Sequence, residues 1–144
     1  MIRVFSPNDK MFTSNGDAVI QPFKAKVHKE DNGKFYLDIE ADISYVDILT
    51  ANRIIVAPTP QGEQAFRIKN PEKTKHKITI KAQHISYDAE NYVIADSYVV
   101  DKNCNDALDH LNSATDNPSP FQTVSDIATV NSYRCVRTSL YEAF

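Results

Sequence analysis

The side chains able to do chemistry are few, and their spacing limits what they can do. Histidines stand at positions 28, 76, 84 and 110. No two lie at the H-x-H or H-x-x-x-H spacing that brings a pair of imidazoles onto one metal. His84 sits in an alternating apolar stretch and could serve as a general base. The commoner role for a histidine so placed is a structural hydrogen bond beneath a barrel rim. Asp38 and Glu40 share one face of a strand, as a glycosidase carboxylate pair would, yet alternating acids on a wet strand face are far commoner. Tyr36, Tyr45, Tyr87 and Tyr92 offer ring surface for stacking on sugars or bases, with core packing as the default. Lys73, Lys75, Lys77 and Lys81 read either as a grip on an anionic polymer or, more commonly, as the solvated side of a strand whose lysines blunt an edge. Three glycines and no G-x-S-x-G elbow leave neither a phosphate-cradling loop nor a positioned nucleophile. The residues assign no catalytic, cofactor-binding or metal site, and no cofactor is expected.

The elements that would hold such residues are mostly strands. Ile78 to Asp88 (I-T-I-K-A-Q-H-I-S-Y-D) reads as one long strand whose buried side changes partway, as in a coiled barrel strand. Gln64 to Lys69 precedes it, with Phe66 and Ile68 inward and Pro71 as its stop. Ile2 to Phe5 is a short first strand. Ala25–Glu30 and Lys34–Ala41 flank Asp31-Asn32-Gly33, where Asn-Gly predicts a type I′ hairpin turn. Asp42 to Leu49 reads as a connector with a short helical turn, and Arg53 to Ala57 as a β-branched strand. Tyr92 to Val100 is expected to return as the hairpin partner of the central strand. Cys104, Leu108 and Leu111, with Ala107 beside them, share one face of a helix from about Asn103 to Ser113, with Asn103 as N-cap. Phe121–Val124 and Tyr133–Arg137 read as short strands, and Ser139 to Glu142 as a capping box opening a helix.

The resulting fold class is mainly β with a small α+β part: an antiparallel β-barrel over residues 1–100, then a helix-and-strand element over 101–144. Charge supports two parts. Residues 1–88 hold 13 Lys/Arg against 11 Asp/Glu, and residues 89–144 hold 3 against 8. That balance lacks the concentrated basic face of a nucleic-acid binder. No apolar run reaches the roughly 18 residues of a membrane span, so no membrane insertion is expected. The start, M-I-R-V-F-S-P-N-D, lacks a signal peptide's apolar region, which predicts synthesis in the cytoplasm. There Cys104 and Cys135 are expected as free, half-buried thiols rather than a disulfide.

Four features in order carry a resemblance: the N-G hairpin, Q-A-F-R-I at 64–68, K-A-Q-H-I-S-Y-D at 81–88, and N-D-A-L-D-H-L at 105–111. P-F-Q-T-V-S-D at 120–126 and N-S-Y-R-C-V-R-T-S-L-Y-E-A at 131–143 extend it. Together they resemble the N-terminal region of phage and prophage tail-tip hub proteins, the prophage endopeptidase tail (tail-associated lysin) family. The resemblance implies a virion structural protein of the tail tip or baseplate hub. Such a protein is trimeric, joins the tail tube to distal receptor-binding or lysin parts, and has other tail proteins as partners. It implies no enzyme activity in this region, since the family's lysin occupies a separate C-terminal domain. The capping box at Ser139, with so little chain after it, adds the expectation that this is a fragment of a longer hub. Two rivals stand beside that reading. One is an OB-like barrel binding an oligosaccharide or single-stranded nucleic acid through its tyrosines; the other is a hydrolase with a site spread over several strands.

Overall fold

Alternation makes β4 (Phe35–Asp42) the plainest element of the chain. Leu37, Ile39 and Ala41 are buried, while Tyr36, Asp38 and Glu40 face the other way. It pairs antiparallel with β3 (Lys24–Lys29) on one side and β7 (Lys77–His84) on the other. The computed structural model describes all 144 residues. It sets these strands in a seven-stranded sheet with β6 (Gly62–Lys73), β5 (Ile54–Thr59), β1 (Ile2–Phe5) and β2 (Ala18–Ile20), in the order β2-β1-β5-β6-β7-β4-β3.

Ile2, Val4 and Ile20 from one end of the sheet share a core with Leu37 and Ile39 from the other, around Phe66, Ile68 and Ile80. A flat sheet would hold these sets apart, so the sheet is curled, a half-barrel with its apolar face inside. Each such side chain contributes about 1.5–3 kcal/mol by leaving water. The half-barrel stays open, because β2 has only three residues and Pro22 stands two residues after it, leaving β2 and β3 as the two sheet edges, each paired on one side only.

The outer face is covered near one end. Phe5, Ile54, Val56 and Ala65 form a second buried cluster, and Phe12 packs edge-on to Phe5 at 5.2 Å. Three arginines pin the strap that carries Phe12. Buried Arg3 donates to the Phe12 and Ser14 carbonyls (2.9 and 2.6 Å) and to Glu63 (2.6 Å). Arg53 pairs with Asp17, and Arg67 donates to the Pro7 carbonyl at 2.9 Å. Gly16 closes the strap at φ +67°, where a Cβ would come within 2.3 Å of the Val4 carbonyl oxygen.

Several expectations are corrected here. The central strand stops at His84, and Ile85–Asn91 forms 3₁₀ turns; the change of buried side marks that turn. β8 (Val93–Lys102) does not return against β7, because β4 and β6 already occupy both edges of β7. It pairs instead with β9 (Asn131–Ser139). The chain therefore divides into units Met1–Ile85 and Ser86–Phe144, earlier than residue 100. Pro71 does not end β6, which continues past it after a register shift between Ile68 and Asn70. The Asn32-Gly33 turn closes the predicted hairpin, but only Asn32 has positive φ (54°), so it is not type I′. Residues 121–124 form no strand, whereas the short helical turn falls at Ile43–Tyr45, within the predicted connector.

The second unit is built on the β8–β9 ribbon and α1 (Cys104–Ser113). Asn103 caps the helix, its side chain accepting from the Asp106 amide at 2.9 Å. Ala107 and Leu111 are the buried residues of that helix, and Leu111 meets Ala89, Ile94 and Leu140 in a small core. Ser139 caps α2 (Leu140–Ala143) by accepting from the Glu142 amide, while the Glu142 carboxylate takes the Thr138 hydroxyl. No helix is long and apolar enough to cross a membrane.

Candidate functional site

His84 lies at the end of β7, opposite Phe66 on β6. Its ring stacks on Phe35 (4.3 Å between centroids), meets Phe66 edge-on (5.5 Å), and places Nε2 3.0 Å from Gln64 Oε1. Burial, then the positive charge of Lys29, lowers its pKa to about 4. The imidazole is neutral at pH 7 and weakly basic, far from the poise of an effective general base. Its contacts are those of a structural residue. Nearby, Lys29 Nζ sits 5.2 Å from the Phe35 ring centre and bonds Gln61 Oε1 at 2.7 Å, tying the end of β3 to the β5–β6 turn across the mouth of the half-barrel.

The outer face of β3, β4 and β7 gathers the acids and lysines. Asp38 lies opposite Lys26 and Lys81 in register and 3.1 Å from His28 Nε2. Glu40 lies opposite Lys24 and bonds Lys77 Nζ at 3.1 Å. Both carboxylates are thus engaged by cations or a histidine, and Lys77 and Lys81 serve that face rather than a separate grip. Lys73 and Lys75 belong to the exposed hairpin tip. Tyr36 is flanked by strands on either side: His28 stacks on it at 4.5 Å, and Lys81 Nζ lies 4.9 Å from its centre.

The other tyrosines are dispersed. Tyr45 packs against the half-barrel core. Tyr87 stacks on Tyr141 at 5.1 Å, and Tyr92 meets Phe121 edge-on at 6.0 Å, both within the second unit. Cys104 and Cys135 are free and half-buried. Burial first, then these thiols, raises the pKa of Tyr133. No group of three His, Cys, Asp or Glu side chains is placed to hold a metal.

The feature left without an internal partner is the seam of the half-barrel. Between the β1–β2 end and β3 lies a cleft of about 740 Å³, its wall largely apolar, with Ile20, Pro22, Val27, Leu37 and Ala57. β3 bonds β4 along one side only, so its other backbone edge is free beside this cleft. Met1, Val19 and Phe23 are exposed in the segments around it. No family model, curated protein or solved structure matches this chain.

Two features escape sequence reasoning. Arg3 is a buried cation, and its signal was its position: alternation in I-R-V-F puts it on the face of Phe5. The open seam follows from a three-residue β2 that pairs with β1 alone, foreshadowed only by Pro22.

Proposed function

We propose that this chain is a structural component of a phage or prophage tail-tip hub, corresponding to the hub's N-terminal region and working through association with copies of itself and with other tail proteins. The observation that carries the reading is the open seam. A half-barrel with a free six-residue edge and an apolar cleft beside it is suited to assembly, because its remaining unsatisfied surface is backbone and hydrocarbon. The ordered motifs at 64–68, 81–88 and 105–111 point the same way. They form β6, β7 with its 3₁₀ turn, and α1, so these three motifs fall on framework elements.

The test is localisation. Particles from an induced lysate of the encoding strain are purified, searched for peptides of this chain, and labelled with an antibody against it. Label at tail tips is expected. Particles that lack the chain while it remains in the soluble fraction would overturn the reading.

A further inference from the structure

The second unit holds a segment that complements the seam. Residues 117–130 make no backbone-to-backbone hydrogen bond, so the amides and carbonyls there rely on side chains and water. Within it, F-Q-T-V-S-D-I-A-T-V (121–130) is rich in β-branched residues. It exposes Val124 by 89%, Ile127 by 57% and Val130 by 56%, an unusual display of aliphatic surface on one strand-length stretch. Its one charge is Asp126.

Charge selects the partner. β3 reads K-A-K-V-H-K, and its lysines oppose the pairing of two β3 edges with each other. An acidic or neutral strand meets no such barrier. The first unit carries 13 Lys/Arg against 10 Asp/Glu and the second 3 against 9, so the attraction runs from the second unit of one copy toward the first unit of another.

We propose that residues 126–130 of one copy, which follow the stretch held to α1 through Phe121, Thr123 and Ser125, add as a strand to the free edge of β3 (Lys24–Lys29) in a second copy, seating Ile127 in the seam cleft. The added strand gains backbone hydrogen bonds from β3, and alternation turns Ile127 toward the apolar cleft beside Ala25 and Val27 while Asp126 lies on the outer face with Lys24 and Lys26. The interface is heterologous, since each copy offers one acceptor edge and one donor segment. This deepens the self-association proposed above and rests on that reading.

The experiment uses the full chain with both native thiols replaced (Cys104→Ser, Cys135→Ser), and folding is checked by thermal melting. One preparation carries Ala25→Cys and another, distinguishable by a tag, carries Ile127→Cys. Mixed and treated with a short bis-maleimide, they are expected to give a product joining one chain of each kind, with far less from either alone. Absence of that product, or equal yields from the single preparations, would overturn the proposal. So would linkage confined within one chain carrying both cysteines.

Sedimentation of the otherwise unaltered chain is the second measurement. Ile127→Pro removes an amide donor at an exposed site and is expected to weaken self-association about tenfold, the equivalent of about 1.4 kcal/mol. Unchanged association, or a chain monomeric throughout, would also overturn it. Particle labelling separates the two ideas. Chain present at tail tips without the cross-link sinks strand addition alone, and the cross-link without particle incorporation sinks the hub reading alone.

Discussion

The two units bury hydrophobic side chains by different means, and the difference shows where this molecule keeps its stability. In the first, five of seven strands are paired along both edges, and fourteen buried residues share the inner core. In the second, one ribbon and one ten-residue helix enclose a core of four buried residues. A lone two-stranded ribbon is marginal in water, so the second unit depends on α1 and α2 covering it. Cooperative protection is expected in the first unit and easier local opening in the second.

The strongest way to break that contrast is to open both cores. Phe66→Ala removes a ring with no exposed surface from the inner core and is expected to cost about 3–5 kcal/mol in urea unfolding. Leu111→Ala should cost about 2–3 kcal/mol and raise amide exchange in residues 86–144 while 1–85 stay protected. Equal loss of protection in both units would show one cooperative block instead.

Acid sharpens the contrast from the other side, because His84 belongs to the first unit alone. Its folded-state pKa, about 4, lies below the unfolded value of 6.5. As pH falls the unfolded chain takes up that proton first. The associated stability is complete above pH 6.5 and lost progressively down to about pH 4. Allowing for the ring's partial exposure, the loss is about 1–2 kcal/mol. Urea midpoints at pH 7 and 4.5 should therefore converge more in His84→Gln than in the unaltered chain. An identical pH dependence in both would refute this account.

The smallest effect belongs to the helix cap. Asn103→Ala should cost about 1 kcal/mol and fray the first turn of α1, seen as faster exchange at the Asp106 amide. No change there would mean the ribbon holds α1 without its cap.

What the sequence discloses and what it conceals divide along the range of the interactions. The β3–β4 hairpin, the Phe66 and Ile68 positions, the Asn103 cap and the Ser139 cap are set by neighbours a few residues away, and periodicity or capping chemistry reveals them. The partner of β8 is not legible in the sequence, because strand choice depends on which edges are already filled, a property of the assembled sheet. The place of the Asn32-Gly33 turn is legible and its conformation is not, since Gly33 has no need of a left-handed φ in the longer loop between Lys29 and Phe35. The candidate site was the least legible part. Its defining feature is a missing pairing, and no residue type announces one.

Pro71 has a consequence for how the molecule behaves in a crowd. Beyond Arg67 the β6–β7 hairpin outruns β5, so from Asn70 to Lys73 one side of β6 faces no strand. Proline there offers no N–H, and a stray chain cannot zip along that arm. The hairpin tip is thereby kept from seeding sheets of mismatched molecules, at a site where four exposed lysines between positions 69 and 77 already repel like copies. Exchanging Pro71 for a β-branched residue would convert a guarded projection into a nucleus for precipitation, a fault visible in turbidity long before it registered in folding.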